Sequence, residues 1–184
     1  MKNNCRKLIY FETFSTIFAF ILGTILHFSF EWSGNNCIVA TFSAINESIW
    51  EHLKLIFFPT FITLIIGYFL FRKIYSNYFC SKALGIIVAL LFVVIFFYTY
   101  TGILGNNYAV IDISTFFVAI LIAEFITYFR VCSNRKCNKF ILGMSIGVLL
   151  ISFIIFTYFP PKIGLFEDPI TNSFGINTSN LNKY

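Results

Sequence analysis

Charge is scarce in this sequence. Only 11% of its 184 residues are Asp, Glu, Lys or Arg, against about 25% in soluble globular domains. Histidine and tryptophan occur twice each, and acidic residues number eight. A chain this short of polar side chains cannot clothe a water-facing surface, so lipid must be the solvent for much of it. Catalytic signatures are missing too: there is no serine-nucleophile motif, no H-E-x-x-H string and no phosphatase-like Arg/His pattern. No internal repeat is visible, which removes the usual sign of a secondary transporter. The five cysteines, Cys5, Cys37, Cys80, Cys132 and Cys137, are odd in number and irregularly spaced, so they make no disulfide framework and read as free thiols. Cys132 and Cys137 bracket a basic loop, a weak pattern for a metal.

Apolar residues fill the space. They make up 58% of the chain, mean hydropathy is +0.82, and phenylalanine alone accounts for 26 residues. Ile, Asn and Lys are also plentiful, so part of the phenylalanine excess reflects AT-rich codon usage and carries no functional meaning. Spanning the hydrocarbon takes about 20 mostly apolar residues, and five segments qualify: 9–30, 53–71, 83–104, 108–129 and 140–159. The expected fold is an all-α bundle of five transmembrane helices in a single membrane domain, with a polar tail over 160–184. The first segment follows Lys2, Arg6 and Lys7 like a signal peptide. Its apolar run is too long for a signal core of about 7–15 residues, and no A-x-A-like site follows. It reads as a retained anchor.

The net charge of +5 does not point to nucleic acid, because the basic residues sit between apolar runs without basic–aromatic interleaving. They order the topology instead. Lys2, Arg6 and Lys7, then Arg72, Lys73 and Lys82, then Arg130, Arg135, Lys136 and Lys139 fall on one side of five spans. These are ten of the thirteen basic residues; Lys54, Lys162 and Lys183 are left for the other side. The positive-inside rule then puts the N-terminus in the cytoplasm and the tail outside, in the cytoplasmic membrane.

With that topology, the unusual polar residues gather at the outer face. His27 lies inside an apolar run near the end of the first span, where ionisable residues are rare and usually face the bundle interior. The string Asn46-Glu47-Ser48-Ile49-Trp50-Glu51-His52-Leu53-Lys54 leads into the second span. Asn46 is a plausible N-cap and Trp50 suits an interfacial anchor. Glu47 and Glu51, at i and i+4 on a helix, share a face, and Lys54 joins them as compensator. Pro59 permits a kink one turn into the span. Asp112 opens the fourth span, and Glu167 and Asp168 lie in the tail. Antiparallel neighbours joined by a short connection must bring His27 to the depth of the Glu47–His52 segment.

Carboxylates with histidine are the residue types of acid–base chemistry and of zinc sites. The catalytic candidates are Glu47, Glu51, His52 and Lys54; the candidate metal ligands are His27, Glu51, His52 and Asp112. The group lacks the spacing of any known metal motif, and a helix entrance with solvated charges explains the same residues. Glu124 lies in mid-span, where a charge is costly and demands a partner. Glu12, near the inner interface, reads as a snorkelling side chain. The glycosylation-like strings at Asn46 and Asn177 are chance matches.

The strings LHFSFEWSGNN (26–36), NESIWEHLKLIFFP (46–59), FFYTYTGILG (96–105) and PPKIGLFEDPITNSFGI (160–176) resemble an uncharacterised family of small polytopic membrane proteins of Gram-positive bacteria, a domain of unknown function. NESIWEHLKL is the most specific of them. Similar proteins have Thr-Gly where this chain has Thr171-Asn172. The resemblance implies a membrane protein and no particular activity. Three functions stay open: an enzyme, metal-dependent or acid–base, acting on a lipid or lipid-linked substrate; a small oligomeric transport or binding protein; and a non-catalytic assembly factor. The partner common to all three is the bilayer.

Overall fold

The computed structural model describes residues 2–176; the Asn177-Thr178-Ser179 string and Lys183 lie outside the described residues. Six helices follow one another: α1 (Lys2–Trp32), α2 (Cys37–Ala40), α3 (Ile49–Phe71), α4 (Tyr78–Leu104), α5 (Ala109–Cys132) and α6 (Lys139–Tyr158). All but α2 are long and apolar enough to cross a membrane, and each exposes large apolar side chains in mid-helix, such as Ile21, Ile66, Leu91, Leu121 and Ile151. In water those surfaces would be untenable; in lipid they are the expected outer wall. The protein is a polytopic α-helical membrane protein.

The helices run longer than the hydropathy spans. The 31 residues of α1 extend about 46 Å, against a hydrocarbon core of about 30 Å, so its basic first turns project past the apolar layer. Helix α4 begins at Tyr78 rather than residue 83 because Tyr78, Cys80, Ser81 and Lys82 are all buried against neighbours. Lys82, counted above among the loop charges, is therefore an interior residue.

Helix α4 lies against α3, α5 and α6, and α1 lies against α3 and α5. Small residues set the closest approaches, as expected where no hydrophobic driving force acts between helices in lipid. A Cβ on Gly85 would stand 2.4 Å from the Ala123 carbonyl oxygen, and one on Gly23 would stand 2.6 Å from that of Leu55. Leu55 is four residues before Pro59, which has no N–H to offer its carbonyl. Helix α3 nonetheless continues through Pro59 from Ile49 to Phe71.

Two segments close the end of the bundle that carries His27. The first is the α1–α3 connection. Left-handed backbone at Gly34 and Asn35 turns the chain after α1, and Asn36 caps α2 through the Ile38 amide. Ser43 then fastens the connection to α1 by accepting from the Phe30 amide at 3.0 Å and donating to the Leu26 carbonyl. The second is the tail. Trp50, expected as an interfacial anchor, is buried instead, among Phe153, Phe156 and Phe166 at centroid distances of 4.7, 5.5 and 4.8 Å; its amide donates to Leu165 of the tail. Asp168 organises the tail turn by accepting from the Ile170 amide and the Thr171 hydroxyl. Asn172 there has φ +52°, a region that glycine enters freely and asparagine tolerates.

The cysteines depart from expectation. Cys80 and Cys137 form a disulfide that ties α4 to the α5–α6 connection. The thiols of Cys5 and Cys132 lie 2.8 Å apart. Cys37 is exposed and free. Cys132 and Cys137 therefore do not act as a pair.

Candidate functional site

The site starts with how α3 begins. The residue capping this helix is Ser48, not Asn46: its hydroxyl accepts from the Glu51 amide. Ser48-x-x-Glu51 is the spacing of a capping box, but the glutamate does not return to the Ser48 amide, which Asn46 Oδ1 occupies at 3.0 Å. Glu51 reaches farther back, to the Ile45 amide at 3.1 Å. Glu47 consequently stands before the helix and does not share a helical face with Glu51. The two carboxylates part company: the Glu51 side chain is 3% exposed and that of Glu47 is 45% exposed.

Glu51 pairs with Lys54 at 2.5 Å, the i, i+3 relation expected from the sequence. Lys54 is wholly buried and also donates to the Ala40 carbonyl at 2.8 Å and the Thr157 hydroxyl at 3.0 Å. One ion pair thus joins α2, α3, α6 and the Ile45 loop segment. The Lys54 ammonium has three partners and Glu51 Oε2 two, and hydrogen bonds of this kind are what make a buried pair tolerable. Asp112 sits elsewhere, accepting from the Tyr100 hydroxyl between α4 and α5.

The exposed partners of Glu47 are the two histidines. His52 Nε2 lies 3.4 Å from one carboxylate oxygen, and His27 Nε2 lies 3.9 Å from the other. The imidazole centroids are 5.2 Å apart. Antiparallel packing of α1 on α3 therefore does bring His27 to the Glu47–His52 segment. His52 Nδ1 faces the Ser48 carbonyl at 2.9 Å. A carbonyl only accepts, so Nδ1 carries the hydrogen and Nε2 is the nitrogen left for Glu47 or for a metal. This is the outer-shell contact that orients metal-binding imidazoles. His27 Nδ1 is buried without a partner.

These three residues can hold a metal. One ligand atom from each of His27, Glu47 and His52 lies within 4.8 Å of the other two. Zinc bonds of about 2.0–2.2 Å in a tetrahedron place neighbouring donors roughly 3.3–3.6 Å apart. The three ligand atoms, within 4.8 Å of one another, would close by about 1 Å to reach that spacing, and Glu47 is not held back by the helix. The three side chains are 29–45% exposed, leaving a fourth position open to solvent. Of the sequence candidates, His27, Glu47 and His52 come together; Glu51 and Lys54 lie beneath them, and Asp112 stands apart.

A second polar group escaped the sequence reading. Lys82 of α4 donates to Glu12 of α1 at 2.8 Å and to Glu124 of α5, and all three are buried. Glu12 is not a snorkelling residue, and Lys82 is the partner that Glu124 demanded. The trio lies about 22 Å from His27 along α1, at 1.5 Å per residue.

The fold and its two polar groups define a five-span helical membrane protein with a solvent-facing histidine–carboxylate cluster at one end. The chain belongs to a family of unknown function (DUF6512), which it matches over residues 1–176. It matches no curated protein and no solved structure.

Proposed function

We propose that this protein is a zinc-binding protein of the cytoplasmic membrane whose His27–Glu47–His52 site faces outward and activates water against a lipid or lipid-linked substrate. The carrying observation is that two imidazoles and a carboxylate meet within 4.8 Å while the orienting Ser48 carbonyl fixes the His52 tautomer. Two nitrogens, one oxygen and an open fourth position form the donor set of hydrolytic zinc sites, where the ion lowers the pKa of bound water and polarises an acyl or phosphoryl oxygen. The chain's own residues bind and orient: His52 is held by Ser48, His27 by its helix. The Glu51–Lys54 pair acts as a positioning unit that fastens the connection bearing Glu47.

The outward direction rests on the basic residues at the opposite end: Arg72, Lys73, Arg130, Arg135, Lys136 and Lys139. Lys82 leaves that count as an interior residue, and the bias survives without it. The lipid assignment rests on location, at the end of apolar helices where a headgroup lies beside the site.

The test is metal content. Protein purified from membranes without chelator and exchanged into metal-free buffer is expected to hold about one zinc per chain by mass spectrometry. Glu47→Gln and His27→Ala are each expected to lower this at least tenfold, and Asp112→Asn, at a residue that stands apart from the cluster, is not. Zinc at background in the wild-type protein after reloading and dialysis overturns the reading.

A further inference from the structure

The second polar group has an imbalance of charge. Glu12, Glu124 and Lys82 bring two carboxyls and one ammonium into the interior, exposed by 3%, 4% and 0%. Among the described residues no other charged side chain pairs with them. With both carboxyls ionised the trio would carry one uncompensated negative charge, and an unpaired buried ion is strongly destabilising. One more positive charge must therefore reside there.

The geometry favours a proton. The two carboxyls accept from the same ammonium through their Oε2 atoms, so a metal cation between them would also meet Lys82 Nζ. A proton, bound covalently to one oxygen, avoids that repulsion. Its place is marked by a set of buried atoms without hydrogen-bond partners: Glu12 Oε1, Glu124 Oε1, Ser15 Oγ and Tyr78 Oη. Ser15 follows Glu12 by three residues on α1, on the same face. Tyr78 precedes Lys82 by one turn on α4; from α3, Gly67 and Phe71 lie against Tyr78. The unpaired oxygens of the two carboxyls that share Lys82 give a proton more than one resting place.

We propose that Glu12 and Glu124 together hold one exchangeable proton beside Lys82, forming a proton-binding site in the half of the bilayer opposite the His27–Glu47–His52 cluster. The proposal does not depend on the zinc reading. The proton moves between carboxyl oxygens while Lys82 stays charged, so no redox partner and no bond other than O–H is involved.

Infrared difference spectroscopy on the full chain in lipid nanodiscs tests this. A protonated carboxyl absorbs as a C=O stretch distinct from the carboxylate bands and shifts on transfer to D2O. At neutral pH the wild-type protein is expected to show such a band, moved by 13C-glutamate labelling. Glu12→Gln and Glu124→Gln, which each leave one acid facing one base, are each expected to lose it, while Glu51→Gln keeps it. The labelled wild-type spectrum needs no variant to fold. Absence of a deuterium-sensitive glutamic acid band overturns the proposal, as does its survival in both Gln variants.

Discussion

Replacing Lys54 with methionine isolates what holds the Glu47-bearing connection in place. In the wild-type protein Lys54 Nζ bridges the Glu51 carboxylate, the Ala40 carbonyl and the Thr157 hydroxyl. Methionine fills most of the volume and removes the charge, leaving Glu51 buried with only the Ile45 amide as partner. Breaking a buried pair in this way costs about 3–5 kcal/mol, or roughly 10²- to 10⁴-fold in the equilibrium for opening the segment. Hydrogen exchange of a peptide over residues 38–48, read by mass spectrometry in detergent, is expected to accelerate by that factor while the α4–α5 core keeps its protection. The double variant Glu51→Gln/Lys54→Met removes both charges and keeps an acceptor for Ile45. It is expected to recover most of the loss, because a neutral replacement of a buried pair is often close to isoenergetic. A single variant that exchanges like wild type, or a double variant no better than the single, refutes the idea that Lys54 is there to neutralise Glu51.

Other consequences follow from the same packing. Gly85→Val, whose Cβ would meet the Ala123 backbone oxygen at 2.4 Å, is expected to destabilise the detergent-solubilised protein by about 1–3 kcal/mol, as overpacking does; an unchanged thermal midpoint would mean α4 and α5 are not in this register. Cys80 and Cys137 are expected to appear as a linked peptide pair in non-reducing mass spectrometry, and Cys5 with Cys132 to be joined by mild oxidant because their sulfurs lie 2.8 Å apart; any other pairing contradicts the arrangement of the basic end. In a Cys37→Ser background, an impermeant maleimide is expected to label Ile170→Cys on intact cells, since Ile170 is 75% exposed in the tail; labelling only after lysis would reverse the orientation. Zinc affinity is expected to fall as pH is lowered, because imidazoles must be deprotonated to bind metal; a pH-independent affinity would exclude histidine ligation.

The five spans were legible because the bilayer imposes a single requirement, length of apolar sequence, and each of them meets it. His27 was legible for a related reason, as an ionisable residue inside such a run. Glu47 was only half legible. The ligand role proposed for it depends on Ser48, not Asn46, capping α3, and the Ser48-x-x-Glu51 spacing was the available sign. Glu12 and Lys82 were not legible. A lone acid near a helix start and a lysine between two spans look like solvated interface residues, and their partners lie 70 and 42 residues away in the chain. Glu124 alone signalled that a partner existed. Trp50 shows the same limit: its ring was assigned to the headgroups because nothing local predicts that Phe166, from the tail, covers it.

Cobalt substitution tests the proposed metal centre most directly, because the visible d–d bands of Co2+ report donor type and coordination number. One equivalent of Co2+ added to the metal-free protein is expected to give the intense bands of a four-coordinate nitrogen–oxygen site, to be displaced by one equivalent of zinc, and to lose intensity in His27→Ala, Glu47→Gln and His52→Ala alike, since each supplies one donor atom to the cluster. Weak six-coordinate bands that are identical in the wild-type protein and all three variants would contradict the account.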